Sequence, residues 1–200
     1  MFSTAKFHLR NLFIFLIISA LLAGCARPNP ANTINIAGSS SVQPLSEELA
    51  NAFMKENPKL SVNVAGGGSS AGIKAAVEGT ADIGASSRRL KAEEKDGLKE
   101  IPIALDGIAL VVNPDNRVED LTLDQVRRIY TGEIANWKDV GGDDGAIDAF
   151  TREEGSGTRG AFEDIVMQGK RISSKVGVQN ATGSLRTAVS SDISAVAYIS

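Results

Sequence analysis

The sequence predicts an α/β protein with mostly parallel sheets, and three observations carry that expectation. From residue 33 onward, short apolar runs of β character alternate with amphipathic helical stretches. The connections between them are short, as in chains that wind helices across a parallel sheet. Loops rich in glycine and hydroxyls follow four of the predicted strands, at the edge where such sheets present ligands. A composition of 42% hydrophobic and 22% charged residues is ordinary for a globular chain of 200 residues.

Taken in order, TINIAG (33–38) reads as a strand. QPLSEELANAFMKENP (43–58) reads as a helix, with Leu45, Leu49, Ala52 and Phe53 on one face and Pro58 beyond its end. LSVNVAG (60–66) is a strand, and SAGIKAAVEG (70–79) a helix with Gly79 as its C-cap. ADIGASS (81–87) is a short buried strand, followed by a polar helix over KAEEKDGLK (91–99). IPIALDGIALVVNP (101–114) is a long apolar run interrupted by Asp106-Gly107, which reads either as a bulge or as the crossing into a second lobe. TLDQVRRIYTG (122–132) is a helix ending at Gly132; AIDAFTR (146–152) is a strand and TRGAFEDIVMQG (158–169) its helix. ISAVAYIS (193–200) is an apolar strand, and a sequence that stops inside one suggests truncation.

The first 24 residues have another character. Lys6 and Arg10 precede an apolar run from Leu12 to Leu22, then small residues and Cys25. That layout is a secretory signal, too short for a comfortable membrane span. Leu22-Ala23-Gly24-Cys25 looks like a bacterial lipoprotein signal, which implies cleavage after residue 24 and lipidation of Cys25. Residues 25–33, rich in Pro and Asn, read as a tether. With one cysteine, no disulfide can form within the chain. Cleavage removes Lys6, Arg10 and the only histidine, His8, and takes the formal charge from −3 to −5. Such an acidic chain argues against nucleic acid as a partner, and any anion must be held by local donors.

Those local donors have candidates. The loops are GSSSVQP (38–44), GGGSSAG (66–72), GASSR (84–88) and REEGSGT (152–158). In the last, Arg152 and two acids lead into Gly155-Ser156-Gly157-Thr158 at a helix start. Free N–H groups, hydroxyls and a guanidinium suit a bound anion; an ordinary N-cap built on Ser156 or Thr158 suits the same residues. Convergence of several such loops on one point would favour the anion. Gly68-Ser69-Ser70-Ala71-Gly72 matches the nucleophile elbow of hydrolases, yet no histidine remains after cleavage and only Lys74 could act as base for Ser70. No phosphate-binding loop of the nucleotide hydrolases and no His/Cys metal-ligand spacing occurs. Asp143, Asp144 and Asp148 read as a solvated turn.

AGSSSVQPLSEELANAF, VAGGGSSAGIKAAVEGTADIGASSRRL, PIALDGIALVVNP, LTLDQVRRIYTGEIANWKDVGG and TREEGSGTRGAFEDIV together resemble the phosphate-binding proteins of bacterial phosphate ABC importers. The likeness runs from about Ile34 to Tyr198. It implies a two-lobed periplasmic-binding-protein fold of type II with a strand hinge: lobe 1 over 34–106, lacking a C-terminal return, and lobe 2 over 107–200. It implies inorganic phosphate as ligand, held by Ser40, Ser41, Ser69, Ser87, Arg152, Ser156, Gly157 and Thr158, with Glu154 orienting the arginine. An importer permease and the membrane, through the lipid on Cys25, are the implied partners, at the outer face of the cell membrane or in the periplasm. Neither catalysis, cofactor nor metal is implied. Some members carry aspartate where this chain has Ser87, which leaves sulfate, molybdate or another oxyanion as the alternative ligand. A serine esterase built on Ser70 is the more distant one.

Overall fold

The computed structural model describes residues 32–200. The expected signal, Cys25 and nearly all of the expected tether lie outside the described residues. Residues Ile34–Ser200 hold together as one compact unit built on two sheets.

The first sheet contains β1 (Thr33–Gly38), β2 (Ser61–Gly66) and β3 (Ile83–Ala85) in the order β2-β1-β3. β1 and β3 are parallel, with Ile36 opposite Ile83 and Gly38 opposite Ala85. Helix α1 (Gln43–Glu56) follows β1 and begins with Pro44 in its first turn, where a missing N–H costs nothing. Helix α2 (Ser69–Val77) follows β2 and runs hard against the end of β1. A Cβ on its Gly72 would lie 2.4 Å from the Ala37 carbonyl oxygen and 2.5 Å from Gly38 Cα. Only a residue without a side chain allows that approach, and the approach brings the loops after β1 and β2 side by side.

Three expectations for this half are refined or corrected. The stripe Leu45, Leu49 and Phe53 is the exposed face of α1, and the buried side chains are Ser46 and Ala50. The expected stripe does share one face, and small residues on the buried side let the helix sit close to β2. The polar helix over 91–99 reduces to one 3₁₀ turn, Ala92–Glu94. Glu94 is drawn back to Arg88 and to the Lys91 N–H, and Gly97 takes φ +73°, which a helix cannot continue through. Of the long apolar run, only β4 (Ala109–Val112) is a strand, and Ile101, Ile103 and Leu105 are exposed.

The second sheet has the order β4-β7-β5-β6, with β5 (Asp148–Arg152), β6 (Gly177–Gln179) and β7 (Ala195–Ile199). β5 is parallel to β6 and β7, while β4 runs antiparallel to β7 with Leu110 opposite Tyr198. Helix α3 (Leu123–Thr131) has Thr122 and Gln125 as a reciprocal capping box and ends on Gly132 at φ +82°. Helix α4 (Gly157–Phe162) continues as a π-helical turn, Glu163–Met167. Helix α5 (Thr182–Ser191) and β6 were not anticipated. β6 has three residues, and α5 buries only Leu185 and Val189 within a run of small polar residues.

The core sits on both faces of β7. Val196 and Tyr198 point to one side, among Val126, Ile129 and Tyr130 of α3 and Phe162, Val166 and Met167 after β5. Ala195 and Ala197 point to the other, against Leu185 and Val189. This is the period-two alternation of a strand covered by helices on both faces. Phe162 stacks on Tyr198 with ring centroids 3.9 Å apart. That stacking anchors α4, whose first turn lies just past the end of β5 and Arg152.

Candidate functional site

The four glycine–hydroxyl loops meet. From the first sheet, Ser39, Ser40 and Ser41 follow β1, Ser69 opens α2 and Ser87 follows β3. From the second, Arg152 ends β5, and Ser156, Gly157 and Thr158 open α4. Ser69 is fully buried, and Arg152, Ser156 and Thr158 are each at most 4% exposed. Burial of so many polar groups is tolerable only when each is bonded; among the described residues no buried side-chain nitrogen or oxygen lacks a partner.

Within the first half, Ser87 Oγ lies 3.0 Å from Ser39 Oγ and 3.2 Å from Ser69 Oγ, and the Ser87 N–H donates to Ser69 Oγ over 3.1 Å. Across the halves, Ser41 Oγ lies 2.9 Å from Thr158 Oγ1, and the Ser70 N–H donates to the Gly155 carbonyl over 3.1 Å. Arg152 Nη2 donates to Ser40 Oγ over 3.0 Å. Gly157 lies in the tightest gap: a Cβ there would be 2.6 Å from both Ser69 Oγ and Ser87 Oγ. Ser156 is the N-cap of α4 and accepts from the Arg159 N–H over 3.3 Å. The ordinary capping role and membership of the cluster therefore coexist in the same residue.

Arg152 is fixed from several sides. Its N–H donates to the Tyr198 hydroxyl over 3.4 Å, and its carbonyl accepts from Arg159 Nη1 over 2.9 Å. The same Tyr198 hydroxyl is bonded to Thr151, and burial raises the tyrosine pKa above its ordinary value. The guanidinium donates through Nε and Nη2 to the two carboxylate oxygens of Glu153, each over 2.9 Å. That bidentate pair is the strong, directional form of an arginine contact.

The carboxylate expected there was Glu154, and the structure puts Glu153 in its place. A turn closed by the Ser156 N–H on the Glu153 carbonyl, over 3.0 Å, leaves Glu154 at its exposed corner. Glu153 lies ahead of the corner, and its side chain folds back along the guanidinium. Sequence reasoning also missed Ser39, Thr182 and Ser200. Thr182 Oγ1 accepts from Arg152 Nη1 over 3.0 Å, and Ser200 Oγ lies 3.2 Å from Thr158 Oγ1. Ser39 could have been found as the first member of the serine run after β1; Thr182 stood in a stretch where no element had been expected.

Beside the cluster, Arg88 makes a bidentate pair with Glu94 through two 2.7 Å bonds and reaches Ser70 Oγ over 3.2 Å. Hydrogen bonding from Arg88, opposed by burial, holds the Glu94 carboxyl down at about 2, against an ordinary 4.5. A carboxyl depressed in the folded state contributes stability above its unfolded value and loses it as pH falls through the folded one. The stability difference between the wild type and Glu94→Gln is therefore expected to be constant above pH 4.5 and to shrink towards pH 2. Paired thermal melts across that range check it.

Ser70 does not have the surroundings of a nucleophile. Its hydroxyl accepts from a guanidinium, while the candidate base, Lys74, is exposed and lies 3.7 Å from Glu78. Among the described residues, no group of three or more His, Cys, Asp or Glu side chains could hold a metal ion.

The comparisons with known proteins agree with this picture. The family model described as a PBP superfamily domain matches residues 25–200. The phosphate-binding protein PstS of Bacillus subtilis is 34% identical over 174 residues, 84% of this chain and 57% of that protein. A putative phosphate ABC transporter substrate-binding protein with bound phosphate, from Clostridium perfringens, superposes with a TM-score of 0.81 at 46% identity; the match covers 84% of this chain and 70% of that one. An ABC-type phosphate transport receptor from Vibrio cholerae gives 0.64 at 39% identity, over 83% of this chain and 70% of the other. The chain thus spans only a little over half the length of the Bacillus protein.

Proposed function

The chain belongs to the PBP superfamily domain family, and on that premise we propose that it binds inorganic phosphate between two lobes and delivers it to an ABC importer. Its α/β architecture of mostly parallel sheets is that of the type II periplasmic binding proteins. Lobe 1 corresponds to 34–106 and lobe 2 to 107–200. The hinge lies at 104–108 and at β7, whose Leu110–Tyr198 pairing joins it to the strand that follows the first crossing.

One observation carries the reading: the serine hydroxyls of three loops, the start of α4 and one guanidinium converge on a single buried point. Ser40, Ser41, Ser69, Ser87, Ser156 and Thr158 supply hydroxyls, Gly157 and Thr158 amide N–H groups, and Arg152 the cation. A tetrahedral anion stripped of water needs a donor for each oxygen, since a buried charge left unpaired costs several kcal/mol. On this reading the protein makes and breaks no covalent bond. Glu153 turns one edge of the guanidinium away from the ligand and so aims the other edge at it. Relatives named as phosphate-binding proteins and a phosphate-bound neighbour support the choice of ligand. Cys25 would carry the lipid that keeps the receptor at the outer face of the membrane, within reach of its permease.

Calorimetric titration of phosphate and of sulfate into the protein tests the proposal. Phosphate should bind and be retained against excess sulfate. Equal displacement by sulfate would turn the reading into that of a general oxyanion receptor, and no heat with either ion would end it. Glu153→Gln and Glu154→Gln separate the two acids. An amide at 153 keeps one acceptor but sets its NH₂ against a guanidinium N–H. Because this clash outweighs the small gain in local positive charge, phosphate affinity is expected to fall about fivefold or more. Glu154→Gln, on an exposed corner, should change it less than about twofold.

A further inference from the structure

We infer that Thr182, the first residue of α5, is a further residue of the anion site, where it positions Arg152 and ties it to the serine loop after β1. The inference rests on the phosphate-receptor reading and extends it to a strand and a helix outside the expected ligand set. Three contacts carry it. Arg152 Nη1 donates to Thr182 Oγ1 over 3.0 Å; Thr182 Oγ1 lies 3.2 Å from Ser41 Oγ; and the Thr182 N–H donates to Ser40 Oγ over 3.3 Å. All three partners belong to the site, and they come from both sheets.

The directions of these bonds follow from the chemistry of the groups. A guanidinium has only donors, so the threonine oxygen must accept from it. The hydroxyl proton is then free for Ser41 Oγ, the neighbour within reach. Arg152 Nε and Nη2 are bound to Glu153, which fixes one edge of the plane. Thr182 fixes the opposite end at Nη1. With Glu153, Ser40 and Thr182 holding four of its five N–H groups, the guanidinium cannot pivot about its bond to Glu153, and the remaining Nη1 N–H keeps one direction.

The bland role for a hydroxyl at a helix start is to cap its own helix. Here that role is not filled: the N-cap is Ala181, without a side-chain cap, and the Thr182 hydroxyl is turned to Arg152 and Ser41 instead. The short strand β6 explains how it gets there. β6 is parallel to β5 with Gln179 opposite Arg152, so the loop after β6 emerges beside the arginine at the same sheet edge.

Three proteins test the inference by calorimetric titration with inorganic phosphate and by melting without it. Thr182→Val keeps the shape and removes the hydroxyl; Thr182→Ser restores it. Loss of a hydrogen bond to a charged group predicts an affinity about tenfold or more lower for Thr182→Val. Thr182→Ser should lie within about threefold of the wild type, and melting without phosphate should remain a single transition in all three, lowered by no more than several degrees in Thr182→Val. Unchanged affinity in Thr182→Val, with the wild type binding, would overturn the inference and leave the receptor reading standing. A serine variant as weak as the valine one would overturn it too. A wild type that gives no phosphate heat would remove the receptor reading itself. If Thr182→Val does not fold, Thr182→Ala replaces it under the same thresholds.

Discussion

Arg152→Ala is expected to weaken phosphate binding by a factor of tens to thousands, since removing one partner of a buried, hydrogen-bonded charge pair costs about 2–5 kcal/mol. Two effects add. The donors aimed at the anion are lost, and the Glu153 carboxylate, now unpaired, is left beside it with its charge uncompensated. Arg152→Lys keeps the charge but not the fork, because an ammonium cannot span Glu153, Ser40 and Thr182 with one planar group. It should fall between the wild type and the alanine variant. Titration calorimetry, together with the phosphate-dependent rise in melting temperature, measures all three. An alanine variant that binds within about threefold of the wild type would show that the guanidinium is not part of the site.

Gly157→Ala should separate binding from folding more sharply. A Cβ would lie 2.6 Å from the hydroxyls of Ser69 and Ser87 and 3.0 Å from the Ser87 carbonyl carbon. The hydroxyls could rotate only by breaking the bonds that join Ser39, Ser69 and Ser87, and the backbone carbon cannot move aside alone. Overpacking of this kind costs about 1–3 kcal/mol, which is about fivefold to more than a hundredfold in affinity. Alanine is at least as good a helix residue as glycine, by up to about 1 kcal/mol. On the two-lobe reading the loop sets stand apart without ligand and the clash is absent, so the melting temperature without phosphate should hold while affinity falls. A parallel loss of both would mean that Gly157 serves folding and not the approach of the two loop sets.

Much of the site was legible because its chemistry lies in short runs at predictable places. Serines after β1, β2 and β3 follow strands of one sheet and Arg152 with Gly157 follows β5 of the other, so each sheet's topology brings its own set to one edge. What escaped depended on geometry finer than that. Glu153 and Glu154 are adjacent acids, and only the turn closed on Ser156 decides which one meets the guanidinium. Thr182 follows a short strand, Gly-Val-Gln, that lacks an apolar run to mark it. On α1 the apolar spacing was visible, but spacing does not say which face turns inward. Ser46 and Ala50 are inside because β2 folds back against that face, a fact of packing that spacing within the helix does not carry.

The bonds between the serine cluster and the arginine side have a further consequence. Those joining Ser39, Ser69 and Ser87 lie within the first sheet's loops, and the Arg152–Glu153–Thr182 set lies within the second's. Across the gap run individual hydrogen bonds: Ser41 to Thr158 and to Thr182, Ser70 to Gly155, and Ser40 to Arg152 and to Thr182. A neutral bond of this kind is worth about 0.5–1.5 kcal/mol net and the one from the guanidinium about 1.5–3 kcal/mol, and on the two-lobe reading water replaces each when the lobes part. On the receptor reading, the two poses then differ by no more than a few kcal/mol, and a bound anion shifts their balance by favouring the closed one. On that reading the ion is retained by its own contacts with Arg152 and the hydroxyls, not by the bonds between the lobes.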